Sequence, residues 1–152
     1  MTANPVGHLV LYLCESHNER TARLSDAICT GLQLANFWQD VAEDHARGRV
    51  YLPEEDLVRF PASREAIAAR RANQDFRDLL AVEIERTRAL FARGLPLAPM
   101  VIGRLGREVR MFAGGGLALL ARIEALDHDV LHARPTLGRA DLARVMWRGL
   151  LG

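Results

Sequence analysis

Lysine is absent from this chain: all twenty of its basic residues are arginine. Any basic contact to a phosphate must therefore be a guanidinium, which can grip two oxygens at once. Neither sign of charge is concentrated. The formal net charge is +1 with no basic block, which argues against nucleic acid as a partner. Cysteine is scarce too. Cys14 and Cys29 make neither a CxxC pair nor a secreted disulfide framework. Their neighbours are mostly apolar, so they are predicted to be buried thiols in a reducing, cytoplasmic setting. The opening MTANPVG lacks the basic and apolar regions of a signal peptide. No apolar run reaches the roughly 18 residues that a membrane-spanning helix needs, although a peripheral contact with a membrane stays compatible with the composition. Aromatics supply only 6% of the chain while hydrophobic residues supply 49%, so Leu and Ala must do most of the packing. With strong helix formers abundant and β-branched residues sparse, 152 residues predict one all-α domain with a real core.

Helical periodicity organises what is present. Residues 5–16, PVGHLVLYLCES, are predicted to form an apolar helix with Pro5 in its first turn. Val, Leu and Tyr make a strand the competing reading, and the helical segments that follow favour helix. This helix starts with nothing before it to bury it, so the chain is expected to begin inside a larger domain. A second helix is predicted from about Thr21 to Arg47, with Asn18 or Thr21 as its cap and Gly48 just past its end. RVYLP at 49–53 reads as an ordered turn. Pro53 followed by Glu54, Glu55 and Asp56 marks a short helix to about Phe60. Residues 64–93 are predicted as the longest helix, stopped by Gly94 and followed by Pro96 and Pro99. Residues 100–132 read as one or two helices, bent near 103–106. Gly114, Gly115 and Gly116 lack the Gly-Lys-Ser/Thr continuation of a phosphate loop and are assigned to close helix packing. Residues 137–151 form a terminal amphipathic helix with Leu142, Val145, Met146 and Leu150 toward its apolar side.

The polar chemistry is concentrated at 32–53, LQLANFWQDVAEDHARGRVYLP. On a helical wheel Gln33, Asn36, Asp40 and Asp44 fall within about 80° of one another, a narrow stripe in apolar surroundings that suggests a cavity wall. Asp40 and Asp44 stand about 6 Å apart along the axis and repel unless a positive charge lies between them. Mg²⁺ is the natural candidate, since it takes oxygen ligands from one or two carboxylates together with substrate phosphates. Asn36 can add an amide oxygen, and Gln33 can do the same or bind substrate. Glu43 is turned about 60° from Asp40 and ranks lower. The competing reading makes Asp40, Glu43 and Asp44 a solvated acidic face balanced by Arg47. Arg49 and Tyr51 are either a turn salt bridge and a half-buried aromatic, or an arginine approaching a diphosphate and a tyrosine on a cavity rim. His128 and His132 are one turn apart, but no further ligand joins them in a zinc pattern.

The stretch LQLANFWQDVAEDHARGRVYLPEEDL resembles the second aspartate-rich region of the squalene/phytoene synthase family. The NFWQD wording and the opening ANPVG resemble most its bacterial hydroxysqualene synthase branch, known from hopanoid biosynthesis. GGGLALLARIEAL and RPTLGRADLARVMWRGLL also fit. The resemblance implies an all-α isoprenoid-synthase fold in which two aspartate-rich motifs on opposing helices bind Mg²⁺ and an isoprenoid diphosphate. It places Asp40 and Asp44 in the second motif as catalytic metal ligands, with Asn36 as a further ligand. It places Gln33, Asn36, Arg49 and Tyr51 among substrate-binding positions. The implied reaction converts presqualene diphosphate to hydroxysqualene and pyrophosphate. The alternatives are condensation of farnesyl diphosphate to presqualene diphosphate or squalene, phytoene-type synthesis, or a non-catalytic helical fragment. The family's first aspartate-rich motif and its Tyr-Cys element find no match in residues 1–152. The chain is therefore expected to be the C-terminal part of the domain, needing a complementary N-terminal half, with a homo-oligomer as the other possible partner.

Overall fold

A computed structural model describes residues 3–151, with the side chains of Arg148, Leu150 and Leu151 outside the described set. The expected role of Leu150 on the apolar side of the last helix thus falls outside it. Every regular element among the described residues is helical: α1 (Asn4–Leu13), α2 (Glu19–Gln39), α3 (Val41–Ala46), α4 (Glu54–Arg59), α5 (Ser63–Ala69), α6 (Gln74–Gly94), α7 (Gly103–Ala125) and α8 (Arg139–Leu151). A 3₁₀ segment, Leu95–Met100, joins α6 to α7. No described helix is long and apolar enough to cross a membrane.

Local chemistry explains most of the boundaries. The Asn18 side chain accepts from Arg20 N and Thr21 N, while Thr21 Oγ1 accepts from Asn18 N, so the two candidate caps act together as a capping box. Gly48 takes φ +73° after α3, the left-handed conformation that favours glycine. Two expected helices are instead broken. The helix expected to run from 21 to 47 divides at Asp40, whose φ of −105° and ψ of 14° interrupt it. The helix expected over 64–93 divides because Arg70 adopts a left-handed conformation at φ 50°. Asn73 then restarts it, accepting from Phe76 N and donating to Ala62 O. The longest helix is consequently α7, which begins at Gly103 and runs without a break to Ala125.

The core lies where α2 packs against α6 and α7. Phe76, Leu79, Leu80, Ile84, Phe91, Leu120 and Ile123 are fully buried there. Trp38 Nε1 donates to Thr87 Oγ1 at 2.8 Å, and that hydroxyl donates to Glu83 O at 2.8 Å. Phe91 sits between two glycines: a Cβ at Gly116 would meet its ring at 2.3 Å, and one at Gly31 at 3.0 Å. On α1 only Leu11 is buried, while Leu9, Tyr12 and Leu13 are more than half exposed, because it packs chiefly on one neighbour, α2. Cys14 and Cys29 are half-buried free thiols rather than core residues, and burial pushes the Cys29 thiol up from its ordinary range.

Behind the 49–53 turn, Asp56 on α4 and Glu83 on α6 are both buried, and one guanidinium, Arg86, serves both. Arg86 Nη1 donates to Asp56 Oδ2 and, at 2.5 Å, to Glu83 Oε1. The hydrogen bond from Arg86 holds Asp56 below the usual carboxylate range. Burial, reinforced by the hydrogen bond shared with Asp56, pushes Glu83 up to about 7. A carboxyl raised in the folded state stabilises the fold most fully below its ordinary value of 4.5, and that stability is lost as pH rises through about 7. Glu83→Gln, a permanent mimic of the neutral carboxyl, is therefore expected to flatten the fall in stability between pH 5 and pH 7.5. Its advantage over the wild type should grow by on the order of 2 kcal/mol across that window, read by urea unfolding at each pH.

Gly116→Ala is expected to destabilise the fold by about 1–2 kcal/mol, because overpacking against Phe91 exceeds the gain in helix propensity. Gly115→Ala is the matched control. Its Cβ meets nothing within 4 Å, so it should be neutral or mildly stabilising in the same denaturation assay.

Candidate functional site

The stripe on α2 and α3 meets different neighbours along its length. Gln33 accepts a hydrogen bond from Ala3 N at 3.3 Å, linking its side chain to the start of α1. Asn36, one turn on, is exposed and borders an open cavity of about 400 Å³, together with Leu32, Gln39, Phe112, Gly115 and Arg134. Gln39 is buried, and its Nε2 donates to Pro135 O at 2.6 Å. That bond pins the segment after α7 across the end of α2.

Asp40 stands at the break between α2 and α3. The backbone bonds around it persist: Asp40 N donates to Asn36 O at 3.0 Å, and Asp44 N donates to Asp40 O at 2.8 Å. Arg134 Nε donates to Asp40 Oδ1 at 2.6 Å. This bond raises the Arg134 guanidinium above its ordinary range; burial works against it and the nearby Glu43 charge adds to it. The guanidinium held by Asp40 is thus Arg134, from far along the chain, where the acidic-face reading named Arg47. Glu43 also gains importance. Its Oε2 is buried and has no hydrogen-bond partner among the described residues.

Asp44 faces elsewhere. It borders a small cleft with Phe37, Arg49 and Tyr51. Arg49 N donates to Asp44 O at 2.9 Å, and the Tyr51 ring stacks on Phe37 at 4.0 Å with 4° between the planes. The six sequence-predicted residues therefore form three neighbourhoods: Gln33 at α1, Asn36 at the cavity with Asp40 paired to the bordering Arg134, and Asp44, Arg49 and Tyr51 at the cleft. No three His, Cys, Asp or Glu side chains among the described residues converge as a complete metal site.

Sequence reasoning named neither Gln39 nor Arg134 and ranked Glu43 below Asp40 and Asp44. Gln39 carried a readable sign, a polar residue on the apolar side of the wheel. Arg134 carried none, since it meets Asp40 across 94 positions of sequence.

A second cavity adjoins the first. It measures about 310 Å³ and is bordered by Val6, Val10, Leu11, Ile28, Leu97 and Val109, with Ser25 the only hydroxyl that the described residues place on its wall. Leu32 and Phe112 border both cavities. The result is a polar-edged opening that shares a wall with an apolar groove, a shape suited to an amphiphile with a charged head and a hydrocarbon tail.

The sequence matches the squalene/phytoene synthase family model over residues 1–141. It is 31% identical over 140 residues to a hydroxysqualene synthase from Rhodopseudomonas palustris, covering 88% of this chain and 47% of that protein. It is 36% identical over 115 residues to a 15-cis-phytoene synthase from Synechocystis, covering 72% of this chain and 33% of that protein. Its fold is similar to that of squalene synthase HpnC from Alicyclobacillus acidocaldarius, with a TM-score of 0.80 and 44% identity over 83% of this chain and 48% of that one. A dehydrosqualene synthase shares the fold at a TM-score of 0.88 and 17% identity, covering 98% of this chain and 53% of that one. The chain thus matches between about a third and about half of the length of these relatives. With the helical architecture and the match over residues 1–141 together, the chain belongs to the squalene/phytoene synthase family.

Proposed function

We propose that residues 1–152 are the C-terminal half of a Mg²⁺-dependent isoprenoid diphosphate enzyme. The whole enzyme converts presqualene diphosphate to hydroxysqualene and pyrophosphate. The observation that carries this reading is the pairing of the two cavities. One is edged by Asn36, Gln39 and Arg134, the other is almost purely apolar, and Leu32 and Phe112 border both. A diphosphate head belongs at the first and an isoprenoid tail in the second. The likeness over 140 residues to a protein named hydroxysqualene synthase supports hydroxysqualene as the product.

The donor chemistry fits a hard divalent cation. The candidate ligands Asn36, Asp40 and Asp44 offer oxygen alone, Asp40 already attracts a guanidinium, and Glu43 keeps a buried carboxylate oxygen unpartnered among the described residues. When bound, the cation supplies the positive charge that stabilises departing pyrophosphate. Asn36 and Asp40 would hold it at this edge. Asp44, Arg49 and Tyr51 line the separate cleft and Gln33 meets α1, so Asp44 as a further ligand and Gln33, Arg49 and Tyr51 as substrate contacts are roles that the family resemblance implies. In the reaction the C–O bond to diphosphate breaks, water adds to the carbocation, and the oxonium so formed loses a proton to solvent, which leaves the hydroxyl. The apolar groove holds the hydrocarbon and limits where water reaches it. The similarity to a phytoene synthase favours a second reading, condensation of two isoprenoid diphosphates on the same diphosphate-binding wall.

Incubation with Mg²⁺ and presqualene diphosphate separates these readings. The chain alone is expected to release no pyrophosphate above background. Joined to the upstream half of a relative, it should release pyrophosphate and form hydroxysqualene. Asp40→Asn and Asp44→Asn are each expected to lower that turnover roughly a hundredfold. Robust turnover by the chain alone would refute the half-domain reading. Consumption of farnesyl diphosphate in place of presqualene diphosphate would select condensation.

A further inference from the structure

We propose that Arg134 is a resting counter-ion for Asp40, seated on that carboxylate until a divalent cation displaces it. This rests on the reading of Asp40 as a metal-facing residue. Arg134 Nε lies 2.6 Å from Asp40 Oδ1, a charge-assisted hydrogen bond. Glu43 acts on the same guanidinium, and its Oε2 has no partner among the described residues. Arg134 pairs with Asp40 alone, so the neighbouring Glu43 charge is left without an ion pair among the described residues, negative charge that a divalent ion neutralises better. A divalent ion on Asp40 would stand within a few ångströms of the guanidinium, and that repulsion makes the two compete.

The segment is built to let the side chain leave while its backbone stays. Gln39 is buried and holds Pro135 O at 2.6 Å, which fixes the main chain beside Arg134. The Arg134 side chain itself is 44% exposed and Asp40 31% exposed, so the guanidinium can swing on its flexible stem toward water. The free site consequently keeps its acidic helix edge compensated without a metal. The compensation also weakens metal affinity, because binding must first break the pair.

The test is Mn²⁺ binding, as a stand-in for Mg²⁺, to the chain joined to the upstream half of a relative, followed by electron paramagnetic resonance. Arg134→Gln is expected to tighten Mn²⁺ about fivefold, the scale of one half-exposed ion pair. Arg134→Lys, which keeps the charge, should bind close to the wild type. The gain from Arg134→Gln should vanish when Asp40→Asn is combined with it, as a double-mutant cycle requires. In the wild type, Mg²⁺ titration should shift and broaden the Arg134 Nε–H signal in ¹⁵N NMR while the Gln39 side-chain amide signal stays in place. This last measurement decides the question even where Arg134→Gln folds poorly. Wild-type binding with unchanged or weaker binding by Arg134→Gln, or an Nε–H signal that Mg²⁺ leaves untouched while the ion binds, overturns the counter-ion role. Absence of Mn²⁺ binding in both the wild type and Arg134→Gln overturns the metal-facing reading of Asp40 as well.

Discussion

Phe91 sets the spacing of the three longest helices. Its ring lies on α6 and fills space that two missing side chains leave, Gly31 on α2 and Gly116 on α7. A close-packed interior has no slack at such a point, so the ring fixes how near the helices come. The Trp38–Thr87 hydrogen bond then fixes how α2 is turned against α6. With Ala35 and Trp38 buried on the inner side, Asn36 is left at the cavity edge and Asp40 partly exposed near it. The position of the candidate site is thus a consequence of core packing more than of any feature of the acidic residues themselves.

Much of this was legible in the sequence, for local reasons. Asn18 and Thr21 are a capping pair whose chemistry needs only three residues of chain, and Gly48 is required where φ turns positive. The helical class follows from composition. The breaks at Asp40 and at 70–73 were not legible as breaks. The second is held by Asn73 donating to Ala62 O, a contact between two helix ends that no window of periodicity reports. The exposure of α1 follows from its surroundings and not from its composition: burial depends on how many elements pack on a helix, and among the described residues α2 is its main neighbour.

The stripe shows why a wheel orders residues better than it groups them. An angle places Gln33 and Asp44 nearly together, but eleven residues of helix separate them by about 16 Å along the axis. Over that distance the surroundings change from the start of α1, to the segment around Arg134, to the turn bearing Arg49 and Tyr51. Angular agreement therefore identified a continuous polar edge while its members serve different neighbourhoods. Arg134 belongs to the middle one, and only the folded chain brings it there.

On the proposed reading, the division between polar edge and apolar groove also separates two kinds of chemistry. Relatives called hydroxysqualene synthase and phytoene synthase are similar to this chain at 31% and 36% identity, although their names specify different products. A diphosphate leaving group is the same in either reaction, so oxygen ligands and guanidinium groups that manage its charge can be kept unchanged. The product depends instead on how the hydrocarbon is folded and where water or a second chain meets the cation, which apolar side chains decide by shape. Leu32 and Phe112 stand where the two cavities meet. Their bulk is therefore placed to act on the reacting carbon while the polar edge acts on the leaving group, and the two can vary independently within one helical frame.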